Sequence, residues 1–306
     1  MSRDLVKAMG WVTLSAFLIA LMFMLPKLAG ADVSPLQVAF FRYLAGFCTI
    51  LPFFLRRYGL RGALPELATP AKRPLTVSHA FRGSIGIAGV ALGAYAVTHI
   101  PLANAQAIAM TNGVFAVALA ALFLRERLSG ADVAAGAICL AGAVIVAGPD
   151  PSAPGWISLG ALAALTQAFT WGAELVLIRF AAARDAPERA LLVVNGAACS
   201  LLVVVMLWLW RPLPPGEALI LLAMGPVAIM GQYCNIRGFQ LASTAQLVPV
   251  SYSGLVFAAL LGLLVFDEWP RPAAIAGAAL IVGGAIWLAR RTVSPPAVAS
   301  TSRTRL

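Results

Sequence analysis

Long apolar segments recur along the chain and are separated by short polar stretches. Each is about 20 residues long, which is what a helix needs to cross roughly 30 Å of hydrocarbon. Lipid offers no hydrogen-bond partner for an open strand edge, so these segments are predicted to be helices. Several neighbours are so close in sequence that they must form helical hairpins. The ten segments cover residues 8–28, 36–55, 80–99, 102–124, 131–148, 156–180, 190–210, 217–240, 244–266 and 272–289.

Two stretches, residues 101–148 and 243–289, are loosely similar. Each contains an apolar helix rich in small residues, then a glutamate (Glu126 or Glu268), a short turn and a glycine-rich apolar helix. Aligning the two glutamates gives an offset of 142 residues. This offset superposes four identical pairs, which are Phe115 and Phe257, Leu119 and Leu261, Leu122 and Leu264, and Gly142 and Gly284.

The first two helices of each half align at a different offset. Lys27 falls on Arg179 and Pro35 on Pro187 at an offset of 152 residues. An insertion in residues 56–79, interpreted as a cytoplasmic linker, accounts for the difference of ten. Five helices per half is an odd number, so the second half must cross the membrane with opposite polarity. The predicted fold is an all-α polytopic membrane protein of ten transmembrane helices in a 5+5 inverted repeat, an arrangement typical of secondary transporters.

The repeat predicts the domain organisation. Residues 1–149 form the first repeat with helices 1–5, and residues 150–290 form the second with helices 6–10. Residues 291–306 are polar and small, which indicates a disordered cytoplasmic tail.

Composition excludes a soluble protein. Hydrophobic residues make up 61% of the 306 residues and charged residues only 11%, whereas a soluble domain has about a quarter charged. The net charge of +10 raises the question of nucleic acid. The basic residues lie at the ends of apolar segments and form no stripe with interleaved aromatics, so the predicted partner is the lipid bilayer and not nucleic acid.

The distribution of Lys and Arg predicts the orientation. With the N-terminus in the cytoplasm, 18 of the 22 basic residues, Arg82 among them, fall in cytoplasmic segments. Three fall outside, and Arg42 lies within a span. This bias predicts a multi-pass protein of the cell inner membrane with both termini cytoplasmic.

No motif for catalysis, metal or cofactor binding is found in the sequence. The four cysteines lie inside apolar spans without CxxC spacing, so no metal site or disulfide is predicted. A membrane-embedded enzyme, the alternative class, would need convergent carboxylates or histidines, but His79 and His99 fall on opposite sides. The sequence has no GxxxxGK[ST] loop for ATP, so uphill transport would draw on an ion gradient or the membrane potential.

Three segments carry a resemblance to a known family. They are PLQVAFFRYLAGF at residues 35–47, the stretch from IPLANAQ to AVIVAG at 100–148, and the stretch from QLASTAQ to GGAIWL at 240–288. With the ten-span layout, the chain resembles the EamA branch of the drug/metabolite transporter superfamily over essentially its whole length.

The resemblance implies a fold and a class of function. It implies a central cavity lined by helices 3, 4, 8 and 9, with contributions from 1 and 6, that works by alternating access. Similar proteins move amino acids, nucleosides or bases, riboflavin, S-adenosylmethionine and amino-acid-derived metal chelators, many of them outward. This chain departs from the family at Met110 and Asn112, where an aromatic is usual, and at Arg237, where Tyr or Ala is frequent.

Ionisable residues within membrane spans are costly and mark candidate sites. Arg42 is either an anchor for a carboxylate or phosphate, or a structural residue bonded to backbone carbonyls. Glu174 is either a proton or charge site or an interfacial carboxylate near the cytoplasmic end of helix 6. Glu126 and Glu268 stand at helix ends, where capping or salt bridging is the expected role.

Polar residues concentrate on helices 3, 4, 8 and 9, which favours a substrate site there over interhelical hydrogen bonding alone. The candidate substrate-binding residues are Arg42, Tyr95, Asn104, Met110, Thr111, Asn112, Gln232, Arg237, Gln246, Tyr252 and Ser253. The sequence thus predicts a secondary transporter that exports a small polar metabolite, such as an amino acid or an opine-type chelator. Uptake of riboflavin, S-adenosylmethionine or a nucleoside-type metabolite is the alternative, and a homodimer is left open beside a monomer.

Overall fold

The computed structural model describes residues 3–68, 73–124, 129–148, 158–181, 186–242, 247 and 250–292. Within these ranges the chain forms helices and no strands. In chain order the helices are α1 (Arg3–Ala29), α2 (Pro35–Ala68), α3 (Arg73–His99), α4 (Leu102–Ala109), α5 (Asn112–Leu124), α6 (Gly130–Ala147), α7 (Leu159–Ala181), α8 (Pro187–Leu209), α9 (Pro215–Leu241), α10 (Ser253–Phe266) and α11 (Pro272–Thr292).

The helices confirm the ten predicted spans. In the described ranges, seven segments are long and apolar enough to cross a membrane, with α4 and α5 counted as one segment. Helix α7 adds 23 residues, while α10 and the Pro272–Trp287 part of α11 are shorter apolar helices. The chain is therefore an all-α polytopic membrane protein.

Three local predictions need correction. The linker predicted at 56–79 is largely helical, because α2 continues to Ala68 past a bend at Gly59, where φ is 68°. Glycine adopts this left-handed conformation without steric cost. Arg82, counted from the sequence as a cytoplasmic loop charge, lies inside α3. The fourth span is not one helix, since it breaks between Ala109 and Asn112.

Helix ends follow the local sequence. Ser129 and Asp132 form a capping box at the start of α6, each side chain accepting a hydrogen bond from the other's backbone N–H. Proline stands in the first turn of α8 (Pro187) and α9 (Pro215), where its missing N–H costs nothing. Gly148 ends α6 with φ 66°.

Two ends of the bundle can be told apart by their ion pairs. At the Lys27 end, Lys27 of α1 pairs with Glu268, which follows α10. At the Arg57 end, Arg57 of α2 lies 2.7 Å from Glu188 of α8. Consecutive spans run between these ends in alternating directions.

Contacts of small residues show the inverted repeat at the level of single residues. Gly83 of α3 packs against Ala198 of α8, and Gly225 of α9 packs against Gly46 of α2. The offset of 142 carries Gly83 to Gly225, and the offset of 152 carries Gly46 to Ala198. The two contacts are therefore the same contact made twice, once from each half.

The same relation holds between α3·α7 and α1·α9, two of the most extensive interfaces of the bundle. A Cβ on Gly89 would lie 3.0 Å from Thr170 Oγ1, and a Cβ on Gly231 would lie 3.4 Å from Leu18 Cβ. Again the offsets are 142 for the glycines and 152 for their partners. Helices α1 and α9 thus correspond to α7 and α3.

Helices α6 and α11 join the halves through backbone contact. A Cβ on Gly142 would lie 2.7 Å from the Gly277 carbonyl oxygen, and a Cβ on Gly277 would lie 2.7 Å from that of Gly142. The repeat-related contact places a Cβ on Gly284 3.0 Å from Ala135 O. Small residues allow such approach where no hydrophobic effect drives helix association.

We expect Gly277→Ala to destabilise the protein by about 1–3 kcal/mol, because the added methyl meets the backbone of α6. Gly283→Ala on the same helix is the control, since nothing lies within 4 Å of its Cβ position. The better helix propensity of alanine makes that change neutral or stabilising by up to about 1 kcal/mol. Thermal unfolding in detergent measures both, and equal melting temperatures would contradict the close packing.

Candidate functional site

A break in the fourth span lies between α4 and α5. Met110 ends α4 with φ −67° and ψ −9°, and its N–H donates to both Gln106 O and Ala107 O. The Thr111 N–H donates to Ile108 O at 3.0 Å. The Thr111 hydroxyl donates to the same oxygen at 2.7 Å, so this side chain helps hold the turn.

A second break precedes α10 at the equivalent position of the other half. Tyr252 has φ −69° and ψ −9°, close to the values at Met110. The two residues are related by the offset of 142, and Thr111 corresponds to Ser253 by the same offset. Both halves therefore interrupt a membrane-spanning helix at the same place and in the same conformation.

The two breaks meet inside the bundle. Gly254, which follows the second break, places its Cβ position 3.6 Å from Met110 Cε and 3.5 Å from Ala16 Cβ of α1. Discontinuous helices at a repeat interface are where transporters of this architecture bind substrate. Five predicted site residues stand at these breaks, and they are Met110, Thr111, Asn112, Tyr252 and Ser253.

The breaks combine polar and aromatic groups. The Ser253 hydroxyl is buried and has no hydrogen-bond partner among the described residues. One turn later, Phe257 packs edge-to-face on Phe17 of α1 with ring centroids 5.4 Å apart. A small ligand here would meet an available hydroxyl and two aromatic rings.

Arg42 and Asn104 have partners inside the bundle. Arg42 is buried, donates from Nη1 to Asn195 Oδ1 of α8 at 2.7 Å, and lies 4.1 Å from the Tyr43 ring centroid. Its Nε has no partner among the described residues. Asn104 bonds Val146 O of α6 at 3.4 Å, which is interhelical hydrogen bonding.

Tyr95 lies apart from the breaks, at the Lys27 end. It lines a cavity of about 320 Å³ formed by the α1–α2 connection, the end of α3 and Arg211. Its ring stacks on His99 with centroids 3.9 Å apart. Asp32 also lines this cavity, so it holds charges of both signs.

The two predicted residues on α9 are not gathered at the breaks. Arg237 is exposed and donates from Nε to Tyr233 Oη at 2.8 Å, the geometry of an interfacial side chain. Gln232 is half-buried beside Gly231, which packs against α1. Gln246 lies outside the described residues, as does Glu126.

Glu174 of α7 forms an ion pair with Arg82 of α3, with Nε and Oε1 2.8 Å apart. Sequence reasoning missed Arg82 and also Asn195, the partner of Arg42. Asn195 could have been noticed as a polar residue within the apolar run 190–210. Arg82 could have been noticed through the repeat, because it is a charged residue at the position where the other half has an apolar residue, Met224.

Four helices are tied together at the Lys27 end by a network around Lys27 and Glu268. Besides the ion pair, Lys27 Nζ donates to Ile100 O after α3 at 3.1 Å. Glu268 Oε2 accepts the N–H of Leu102 at 2.9 Å, which caps α4 where the helix dipole favours a negative charge. The capping and pairing roles expected for Glu268 are confirmed.

No group of three or more metal-ligating His, Cys, Asp or Glu side chains occurs in the described part of the chain. What the breaks offer is hydroxyl, thioether, amide and aromatic groups. Such an arrangement can bind and release a small organic molecule.

Comparison with known proteins shows the family of the chain. A family model described as the EamA-like transporter family matches residues 6–148 and 158–290. The pseudopaline exporter CntI of Pseudomonas aeruginosa is 29% identical over 279 residues, covering 90% of this chain and 94% of that protein. A solved crystal structure superposes with a TM-score of 0.61 at 26% identity, covering 92% of this chain and 98% of the other.

Two further relatives carry different names. A riboflavin transporter of Brucella anthropi is 25% identical over 260 residues, covering 79% of this chain and 88% of that protein. An S-adenosylmethionine uptake transporter of Rickettsia felis is 22% identical over 289 residues and covers 91% of each chain. The relatives thus agree on transport and differ in substrate and direction.

The network at the Lys27 end predicts graded effects at Glu268. Glu268→Gln keeps an oxygen for the Leu102 N–H but loses the charge that faces Lys27, whereas Glu268→Ala loses both. We expect the alanine variant to lose about 1–3 kcal/mol of stability and the glutamine variant less.

Thermal unfolding in detergent ranks these variants. Asp267→Asn is the control, because that exposed neighbour has φ 54°, a conformation in which Asn is well tolerated. Equal melting temperatures for the glutamine and alanine variants would contradict the capping role.

Proposed function

Because the chain belongs to the EamA-like transporter family, we propose that it is a secondary transporter that exports a small polar metabolite across the inner membrane. The cargo is an amino acid or an amino-acid-derived compound. The observation that carries this proposal is the meeting of two equivalent helix breaks inside the bundle, with polar side chains at both.

The breaks support a substrate site for a physical reason. A continuous helix satisfies its own backbone groups, so an interruption in hydrocarbon is tolerated only where protein or a polar cavity compensates it. The buried Ser253 hydroxyl adds a polar group without a partner among the described residues. A polar substrate can supply the partner that the Ser253 hydroxyl lacks.

The charge distribution supports the orientation. With the Arg57 end in the cytoplasm and Arg82 assigned to the interior of α3, 17 of the 22 basic residues are cytoplasmic, in agreement with the positive-inside rule. Both termini are then cytoplasmic, and the Lys27 end faces outward. Residues 1–149 and 150–290 act as the two repeats, and residues 291–306 are assigned to the cytoplasmic side.

For alternating access we assign the role of outer gate to the interactions at the Lys27 end. The network of Lys27 and Glu268 holds together the ends of α1, α3, α4 and α10, which are parts of spans 1, 3, 4 and 9. Substrate reaches the breaks from the cytoplasm while this network is formed. It leaves after the network parts and the helices separate at the outer end.

Similarity to the pseudopaline exporter favours export of an amino-acid-derived compound. Uptake of riboflavin is a second candidate, because the Phe17 and Phe257 rings beside the second break can pack on a flat ring system. The two candidates therefore differ in the direction of transport and in whether the cargo contains a flat ring system.

Metabolite measurements test the proposal. Cells with and without the protein are compared for intracellular and extracellular metabolites. We expect a zwitterionic metabolite to accumulate outside only when the protein is present. Depletion of riboflavin from the medium would support the second candidate and contradict the proposal of export.

A serine substitution tests the site at the breaks. Ser253→Ala removes the unpartnered hydroxyl, and we expect an apparent affinity for cargo about 5- to 10-fold weaker with an unchanged melting temperature. Ser200→Ala is the control, because that exposed hydroxyl on α8 only donates to Gly196 O of its own helix. Flux into proteoliposomes measures both, and identical kinetics would argue against a site at Ser253.

A further inference from the structure

The Arg82–Glu174 ion pair lies within the membrane part of the bundle. Arg82 is nine residues into α3, and Glu174 is seven residues before the end of α7, each about 10–14 Å along its helix. The side chains are 11% and 20% exposed, so they are largely removed from solvent but still reachable. Charges at such depth are costly and mark functional positions by default.

The inverted repeat provides an internal control for this pair. The offset of 142 carries Arg82 to Met224, and the offset of 152 carries Glu174 back to Met22. The flanking glycine contacts of α3·α7 and α1·α9 establish this register. Both methionines are buried in the main apolar core. The same packing position is therefore filled by two apolar side chains in one half and by an ion pair in the other.

Stability does not explain the charges. Replacing a buried ion pair by well-packed apolar residues is often neutral or stabilising. Met22 and Met224 show that this fold accommodates such residues at the equivalent place. The charges therefore have a role other than packing.

The surroundings of the pair carry an excess of positive charge. The Arg42 guanidinium carbon Cζ lies 4.1 Å from the ring centroid of its neighbour Tyr43. Tyr43 packs against Gly86 of α3, one turn from Arg82. If Glu174 left Arg82 without replacement, two guanidinium groups would share this region without a counter-charge. A carboxylate from the substrate would restore the balance.

Helix α7 connects the pair to the first break. Gly172 of α7 packs on the first break, with its Cβ position 2.9 Å from Asn112 O. Glu174 follows two residues later, about 3 Å further along the helix axis and on the opposite side of α7, where it faces α3. A change in the contact between α3 and α7 therefore displaces the same helix that packs on the first break.

We propose that Arg82 and Glu174 separate to bind the head group of a zwitterionic substrate. The substrate carboxylate binds the Arg82 guanidinium, for which bidentate geometry is available, and the substrate ammonium binds the Glu174 carboxylate. Without substrate the two side chains satisfy each other. This inference rests on the proposed transport function and names its substrate class as compounds with an α-amino-acid group.

Thermal shift of the purified full-length protein tests the proposal directly. Each of the twenty amino acids is added as a probe, and the amino acid with the largest shift is compared with its des-amino acid and its decarboxylated amine. We expect the amino acid to raise the melting temperature and both analogues to be at least about tenfold weaker. If no amino acid shifts the melting temperature, the proposal is overturned.

The double variant Arg82→Met/Glu174→Met copies the arrangement of the other half. We expect it to fold with a melting temperature near that of the parent and to bind the amino acid about 10- to 100-fold more weakly. Arg57→Met/Glu188→Met, which removes an interhelical ion pair at the cytoplasmic end, is the matched control and should keep full affinity. Parent-like affinity in the Arg82/Glu174 variant would show that the pair is only structural.

Single variants decide the question if the double variant does not fold. Arg82→Gln should bind the amino acid and its decarboxylated amine equally, because the carboxylate has lost its partner. Glu174→Gln should bind the amino acid and its des-amino acid equally. An unchanged ranking of the three compounds in both variants would overturn the proposal.

The outcomes separate this proposal from the proposed function. Export of a metabolite without an amino-acid group would leave the transporter in place and refute zwitterion recognition. Amino-acid binding that depends on Arg82 and Glu174, without any net export from cells, would keep the site and refute export.

Discussion

The structure depends on one constraint, which is that hydrocarbon offers no partner for backbone N–H and C=O groups. Every described span therefore satisfies its backbone through helical hydrogen bonds, and the helices then pack through small residues because lipid provides no hydrophobic drive between them. Gly142 and Gly277 show the result, with backbone from one half against backbone from the other. The interruptions at Met110 and Tyr252 obey the same constraint, since the Met110 and Thr111 N–H groups at the first of them still donate to carbonyl oxygens of the preceding turn.

Charged side chains within the membrane also need partners, and leaving one unpaired costs more free energy than leaving a backbone group unpaired. Each of three cationic side chains at depth or at a helix end has its own kind of partner. Lys27 has the Glu268 carboxylate and a backbone carbonyl, Arg42 has the Asn195 amide and an aromatic ring, and Arg82 has the Glu174 carboxylate. The Arg82–Glu174 pair differs from the others in that both of its members have methionine counterparts in the other half, Met224 and Met22.

The sequence was sufficient for the architecture because hydrophobic length and duplication are properties of long segments. The ten spans, the inverted repeat and the family all follow from patterns that average over many residues. The offsets of 142 and 152 even predict contacts such as Gly89 on Thr170, since both halves repeat the same packing. Local features of the backbone, such as helix breaks and extensions, were harder to predict from the sequence. Nothing in the apolar run 102–124 separates a broken helix from a continuous one, and the helical extension of α2 to Ala68 depends on one left-handed glycine.

Site residues were harder to predict than spans because their roles depend on partners from other helices. The two breaks meet, with Gly254 against Met110, because the halves are inverted and equivalent segments lie side by side. Asn104 has the same chemical character but faces α6, and Arg237 faces outward. Helical periodicity assigns residues to a face of their own helix but does not identify what that face contacts.

The two halves carry different side chains at equivalent positions, and this difference has a thermodynamic consequence. In an inverted repeat with identical halves, the inward-open and outward-open forms would be related by a two-fold rotation and would have equal free energy. Here one half holds an ion pair where the other holds Met22 and Met224, and α2 carries a helical extension beyond Gly59. The two forms therefore differ in free energy, and each difference of about 1.4 kcal/mol shifts their populations tenfold. The empty carrier rests with a preferred side open, and membrane voltage acts on a conformational equilibrium that is already biased.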